Sequence, residues 1–212
     1  MAKLITIVDY RMGNLRSVAK AAEHVADSNN TTIIVSNKPE DIRSADAIIF
    51  PGQGAAKACM NALNHTGMIH ALKEASTEKP FLGICMGLQV LMETSDENNG
   101  TDCLGFLAGS VQKINTEAHP ELKIPHMGWN QIKQTIDHPV WHKIGKDERF
   151  YFVHSYHVIP KENEITVGTT THGQTFTSAI AKNNLFAIQA HPEKSADAGL
   201  QLLKNFINWD GK

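Results

Sequence analysis

The sequence predicts an α/β fold: a central, mainly parallel sheet flanked by helices, with additional antiparallel strands in the second half. Three observations carry that expectation. Short apolar runs rich in β-branched residues alternate with stretches of helical periodicity over the first half. Shorter β-like runs separated by turn residues fill the second half. Between the two regimes an apolar run ends in Cys85, which has a glycine two positions to either side, Gly83 and Gly87.

The elements follow in order. Residues 3–8 are a continuous β-rich run. Over 13–26, Leu15, Val18, Ala19, Ala22 and Val25 recur at the spacing of one helix face. Residues 31–35 and 47–50 are the second and third strands. Pro51-Gly52-Gln53-Gly54 reads as a loop beyond the third, followed by a helical stretch over 55–63. Residues 81–84 form the fourth strand, and an apolar helical pattern follows Cys85. Apolar strands bounded by helices belong to a parallel sheet covered on both faces. In such sheets ligands bind beyond the carboxyl ends of the strands, where both Cys85 and the 51–54 loop fall. Residues 96–102 are a polar loop. The runs 110–114, 130–133, 150–153, 165–170, 176–182 and 185–189 read as antiparallel strands, joined by turns such as Thr171-His172-Gly173-Gln174. Residues 195–209 close the chain as a helix with Leu200, Leu203, Phe206 and Ile207 on its apolar face. With no linker, repeat or low-complexity segment, residues 1–212 are read as one domain.

Composition narrows the function. The 212 residues suffice for a single sizeable core. Hydrophobic residues make up 42% and charged residues 20%, as in soluble globular proteins. A formal net charge of −2 offers no attraction for nucleic acid or an anionic membrane, so neither is expected as a partner. No apolar run approaches the ~20 residues of a membrane span. The first apolar run is short and ends at Asp9, which suits a strand better than a signal peptide. Cys59, Cys85 and Cys103 are odd in number and irregular in spacing, which fits a reducing cytosol, and a cytoplasmic location is expected. Among the eleven histidines, His154 and His157 differ by an odd number and are not expected to share a strand face. No Cys-x-x-Cys pair occurs, so no metal site is expected. Most of the histidines read as surface or loop residues.

Three segments carry chemistry. Gly83-Ile84-Cys85-Met86-Gly87 is the sulfur version of the strand–nucleophile–helix elbow. The turn exposes the sulfur at a strand end, and the first amides of the following helix favour its thiolate. A lone cysteine is more often a buried apolar residue; the paired glycines at this junction favour the nucleophile. The second segment runs from the apolar stretch 185–189 into His191, with Glu193 two residues on. In extended backbone those two side chains project to one side, so the carboxylate can orient the imidazole. A thiol whose base is itself held by a third group is the logic of thiol acyl transfer. The third segment, Pro51-Gly52-Gln53-Gly54, can aim backbone N–H groups at a developing oxyanion, with the Met86 amide as a second donor. Its plainer reading is a turn.

Taken together, Gly83-Ile84-Cys85-Met86-Gly87-Leu88-Gln89, Pro51-Gly52-Gln53-Gly54 and His191-Pro192-Glu193 resemble the class I, or triad, glutamine amidotransferases. Three further motifs are similar to the glutaminase-subunit family of imidazole glycerol phosphate synthases. They are Asp9-Tyr10-Arg11-Met12-Gly13-Asn14-Leu15-Arg16-Ser17-Val18, Pro125-His126-Met127-Gly128-Trp129-Asn130 and Tyr151-Phe152-Val153-His154-Ser155-Tyr156. The resemblance implies a single-domain class I glutamine amidotransferase fold. It implies hydrolysis of L-glutamine to L-glutamate and ammonia by a Cys85–His191–Glu193 triad, without a cofactor. It assigns the oxyanion hole to Gly52, Gln53 and Met86, and glutamine binding to Gly54, Gln89, Glu97 and Ser155. The implied partner is a separate cyclase subunit, forming a heterodimer that uses the ammonia in histidine biosynthesis. Tyr10, Asn14, Met127, Trp129 and Tyr151 are expected at the contact with it, because aromatics are enriched at interfaces. Arg11 stands where that family usually has glycine, and Gln53 where valine is common. Two rival readings remain: a γ-glutamyl hydrolase or another amidotransferase, and a non-catalytic subunit that keeps the sheet alone.

Overall fold

The computed structural model describes residues 2–212. The chain runs β1 (Lys3–Val8), α1 (Leu15–Val25), β2 (Thr31–Ser36), α2 (Pro39–Ser44), β3 (Ala47–Gly52), α3 (Ala56–Thr66), α4 (Ile69–Glu78), β4 (Phe81–Cys85) and α5 (Met86–Gln89). It continues through β5 (Thr94–Ser95), β6 (Thr101–Asp102), β7 (Gly109–Lys113), β8 (His126–Gln134), β9 (Asp147–His154), β10 (Tyr156–Pro160), β11 (Thr166–His172), β12 (Gln174–Lys182), β13 (Leu185–Ile188) and α6 (Ala196–Asn208). The main path of the sheet is β2-β1-β3-β4-β13-β12-β10-β7-β5-β6, and β11, β8 and β9 branch from β12. Pairing is parallel from β2 to β13 and antiparallel from β13 through β12 and β10 to β7.

Alternation along the central strands builds two cores. Ile5, Ile7, Ile49, Leu82, Ile84, Phe186 and Ile188 face α1 and α6, meeting Val18, Ala22, Leu202 and Phe206. Val8, Ile48, Phe50, Phe81 and Ala187 face the other way, onto Ile42 of α2, Leu63 of α3 and Leu72 of α4. Successive residues of a strand point to opposite faces, so a strand apolar throughout requires cover on both. The predicted parallel α/β half is therefore observed, and so are antiparallel strands in the second half.

Several boundaries differ from expectation for physical reasons. Pro51 and Gly52 are not loop but the last rungs of β3, paired with Ile84 and Cys85. The helix after Cys85 is a single turn, because the chain leaves it at Val90 to pack Leu91 and Met92 into the core. The 185–188 strand is antiparallel only to β12; its other edge pairs in parallel with β4. On α6 the buried face is Gly199, Leu202, Leu203, Phe206 and Ile207, so Leu202 takes the place expected for Leu200. The structure also contains α2, α4, β5 and β10, for which no element was expected, and the expected 96–102 loop ends in β6, which pairs back onto β5.

Arg11 occupies left-handed backbone at φ 67°, with its N–H held by Asp9 Oδ1 at 2.8 Å. Glycine adopts that conformation without strain, which accounts for the residue usual there in the resembling family.

Candidate active site

Parallel strands align their carboxyl ends, and the three chemical segments meet at that edge. Register sets Cys85 beside Gly52 across β3–β4, and Ile84 beside Ile188 across β4–β13. Three residues beyond Ile188, His191 is anchored through its own backbone. Its N–H donates to the Tyr151 carbonyl at 2.9 Å, and its carbonyl accepts from Ser195 Oγ at 2.6 Å. The same Ser195 oxygen accepts the Tyr151 N–H at 2.9 Å, so one serine ties β9 to the start of α6. Gly199 permits this closeness, since a Cβ there would lie 1.9 Å from the Pro192 carbonyl oxygen.

Cys85 sits at φ 55° and ψ −107°, a backbone conformation costly for any residue with a Cβ. His191 Nδ1 lies 2.8 Å from Glu193 Oε1, and both side chains are almost wholly buried. The carboxylate therefore accepts a hydrogen bond from Nδ1–H and leaves Nε2 for the sulfur side. Nε2 makes no hydrogen bond of regular geometry among the described residues, yet it lies within the field of Cys85. Burial lowers the His191 pKa. The charge and hydrogen bonding of the Cys85 sulfur, reinforced by Glu193, outweigh that and raise it to about 10.

Cys85 and His191 line one cavity of about 690 Å³. Gln53, Gly54 and Met86 line it too, as do Gln89, Glu97 and Ser155. Every residue predicted to bind glutamine therefore faces the sulfur and imidazole across one space. Glu97 also caps a helix, its Oε2 accepting the Ala56 N–H at 2.7 Å at the start of α3, where the helix dipole favours an anion. Gly52 lies behind the cavity, where a Cβ would fall 2.3 Å from the Tyr10 hydroxyl and 2.9 Å from the Met86 Cβ.

That contact corrects one expectation. Tyr10 is fully buried, its hydroxyl 3.8 Å from Cys59 Sγ, and so it presents nothing to a partner. The other expected contact residues fare differently. Met127 and Trp129 are 61% and 46% exposed. Tyr151 is half-buried, edge-on to Trp129 with ring centroids 6.3 Å apart. Asn14 is half-buried at the start of α1.

The sequence reading misses the histidines behind the cavity. His154 and His157 do lie on one side, both against Phe176, because the chain bends at Ser155 between β9 and β10 and resets the alternation. His154 Nδ1 donates to the Tyr156 carbonyl at 2.8 Å, so its Nε2 accepts from His126 Nδ1 at 2.9 Å. Asn130 Nδ2 then donates to His126 Nε2 at 3.1 Å. Burial lowers the pKa of His154 to about 3 and that of His126 to about 4, so both rings are neutral at pH 7. The sequence reading also overlooks a His-x-x-x-His spacing, His138 and His142, but the two flank a 3-10 turn, with the His138 ring against Phe186 and Trp209. Among the described residues no group of three His, Cys, Asp or Glu side chains could hold a metal ion.

These shifts give stability a sign on each side of neutrality. Between 6.5 and about 10, folded His191 keeps a proton that the unfolded chain releases, so stability falls as pH rises through that window. Below 6.5, the unfolded chain protonates His126, His138 and His154, which stay neutral in the fold down to about 4, 4 and 3, so stability falls as pH drops. Urea midpoints measured from pH 4.5 to 9.5 are expected to peak near 6.5. A profile that is flat across that span would contradict both assignments.

The family model for class-I glutamine amidotransferases matches residues 6–209. The chain belongs to that family. Over 99% of its length this amidotransferase is 73% identical to the imidazole glycerol phosphate synthase subunit HisH of Hydrogenovibrio crunogenus, of which 98% is covered. It is 52% identical over 97% of its length to the subunit of the same name from Nitrosomonas europaea, again covering 98% of the relative. Among solved structures, a glutamine amidotransferase superposes with a TM-score of 0.67 at 16% identity, covering 95% of this chain and 98% of that one. The glutaminase domain of Trypanosoma brucei CTPS superposes with a TM-score of 0.61 at 13% identity, covering 99% and 95%. At such identities these neighbours speak for the fold of the amidotransferase, and they agree with the architecture described above.

Proposed function

We propose that this chain is the glutamine-hydrolysing subunit of an imidazole glycerol phosphate synthase, acting as a heterodimer with a separate cyclase subunit in histidine biosynthesis. The observation that carries the reading is the 73% identity, end to end, with a subunit of that name, around a cavity that gathers Cys85, His191 and the glutamine-binding candidates. The whole of 1–212 serves as one amidotransferase domain. No helix among the described residues is long and apolar enough to cross a membrane, and all three cysteines are free, which supports action in the cytoplasm.

The geometry supports the following chemistry. The Cys85 thiolate attacks the side-chain amide carbon of glutamine, and the carbonyl oxygen takes the negative charge. Backbone amides of Met86 and of the Gly52–Gln53 segment hold that oxyanion. The C–N bond then breaks, and the leaving nitrogen takes the proton from His191 Nε2 to depart as ammonia. A water molecule gives a proton to His191 and attacks the thioester carbon. The C–S bond breaks, glutamate leaves, and the imidazolium faces the thiolate again. Glu193 keeps the ring oriented and its charge balanced throughout. Gln89, Glu97 and Ser155 bind the amino-acid end of the substrate, with Gly54 beside its amide.

Ammonia released into water is largely protonated at neutral pH, so delivery across an interface preserves the nucleophile. Met127 and Trp129 support this, as neighbouring large apolar side chains left on the surface of β8. The chain alone is expected to hydrolyse glutamine slowly. Adding the cyclase subunit and its ribonucleotide should raise the rate on the order of 10–100-fold, the span of ordinary coupling free energies. Trp129→Ala should reduce that stimulation far more than the basal rate. Full activity in isolation, indifferent to the cyclase, would sink the proposal.

A further inference from the structure

Behind the nucleophile lies a pair of glutamines that the mechanism above does not use as a pair. Gln189 is fully buried on the link between β13 and His191, and its Nε2 lies 3.6 Å from Cys85 Sγ. Gln89 Nε2 lies 2.9 Å from Gln189 Oε1 and 2.9 Å from the Tyr156 carbonyl oxygen.

The direction of every bond in this set is fixed by elimination. A backbone carbonyl only accepts, so Gln89 must turn its NH2 group toward Tyr156. The second proton of that NH2 group points to Gln189, which must answer with its oxygen. The Gln189 NH2 group is thereby turned onto the sulfur. The Tyr156 carbonyl is itself held by the His154 Nδ1 proton at 2.8 Å, so the reference point of the relay does not rotate.

We propose that Gln189 is a further catalytic residue, an N–H donor that stabilises the Cys85 thiolate, and that Gln89 is the positioning residue that aims it. A hydrogen bond to the charged form of an acid favours that form, and a buried donor with no competing water does so most. Gln189 thus acts on the sulfur at the two stages where it is an anion: before it attacks the amide, and when it is expelled from the thioester as glutamate forms. The proposal rests on Cys85 being the nucleophile, and it adds a group outside the triad.

The test reads the sulfur without glutamine, so its failure is distinct from failure of the proposed function. Alkylation of Cys85 by iodoacetamide would be followed by mass spectrometry across pH in the purified chain. Burial raises Cys59 and Cys103 to about 11, so neither competes near neutrality. In Gln189→Met, which keeps the length and loses the donor, the midpoint of the rate profile should move up by about one pH unit, the tenfold effect of one hydrogen bond to a charged group. An unmoved midpoint in a folded variant overturns the proposal, even if hydrolysis slows. Should the variant not fold, the wild-type chain decides by NMR. The Gln189 side-chain amide protons are expected well apart in shift, and they should converge once Cys85 is carbamidomethylated. Equal shifts before and after alkylation overturn the proposal equally.

Discussion

Cys85→Ala is expected to remove glutamine hydrolysis by on the order of 10⁴-fold or more, because the thiolate makes the first bond and nothing beside it can substitute. Circular dichroism and binding to the cyclase should remain those of the native chain. The backbone adds a second, less obvious consequence. At φ 55° and ψ −107° any residue with a Cβ carries strain of roughly 1–3 kcal/mol. Cys85→Ala keeps that strain and Cys85→Gly releases it, against roughly 0.5–1 kcal/mol of extra chain entropy lost on folding. The inactive glycine variant should therefore be more stable than the inactive alanine variant by about 1 kcal/mol in urea denaturation. Equal midpoints would mean that the elbow holds no strain.

Gly87→Ala is expected to be the most damaging small substitution near the site. A Cβ at residue 87 would stand 2.0 Å from the Phe50 carbonyl oxygen and 3.1 Å from its carbon. Both are backbone atoms of β3, the central strand between β1 and β4, and neither can yield without breaking ladder pairing. The cost should be about 3–5 kcal/mol, at or beyond the upper end for overpacking. Gly83→Ala, four residues earlier on β4, offers a control. There the closest atom is the Ala187 Cβ at 2.9 Å, and the next is the Gly87 carbonyl oxygen at 3.1 Å, so the loss should be smaller. A Gly87→Ala protein within 1 kcal/mol of wild type would show that the turn has room to spare.

Much of this arrangement is legible in the sequence because each part has a local cause. The four parallel strands of the first half and α1 show in uninterrupted apolar runs and in one helical stripe. Cys85 and His191 show through what surrounds them: glycines that permit an elbow, and a carboxylate two residues on. What escapes has no local signature. In α2 only Ile42 is buried, too little for a period, although Pro39 with Glu40 and Asp41 marks a helix start. The parallel edge of β13 depends on β4, a hundred residues earlier, lying beside it, and no pattern within 185–188 distinguishes it. Analogy with interface aromatics places Tyr10 at the surface, whereas its ring closes the space that Gly52 leaves open. Gln189 reads as the end of a strand, and its meaning depends on residues 89 and 156 being beside it.

The insertion of β13 between β4 and β12 also orders events in time. The sulfur leaves the ribosome early, and the residues that activate it arrive 104 positions and more behind. At ordinary rates of synthesis that is a delay of roughly 5–20 s. Until the late strand slides into its slot, the nascent chain carries a thiol with no proton acceptor and cannot squander glutamine. A prematurely terminated product lacking 185–193 would be chemically mute, so a cell making this protein gains a safeguard from strand order alone.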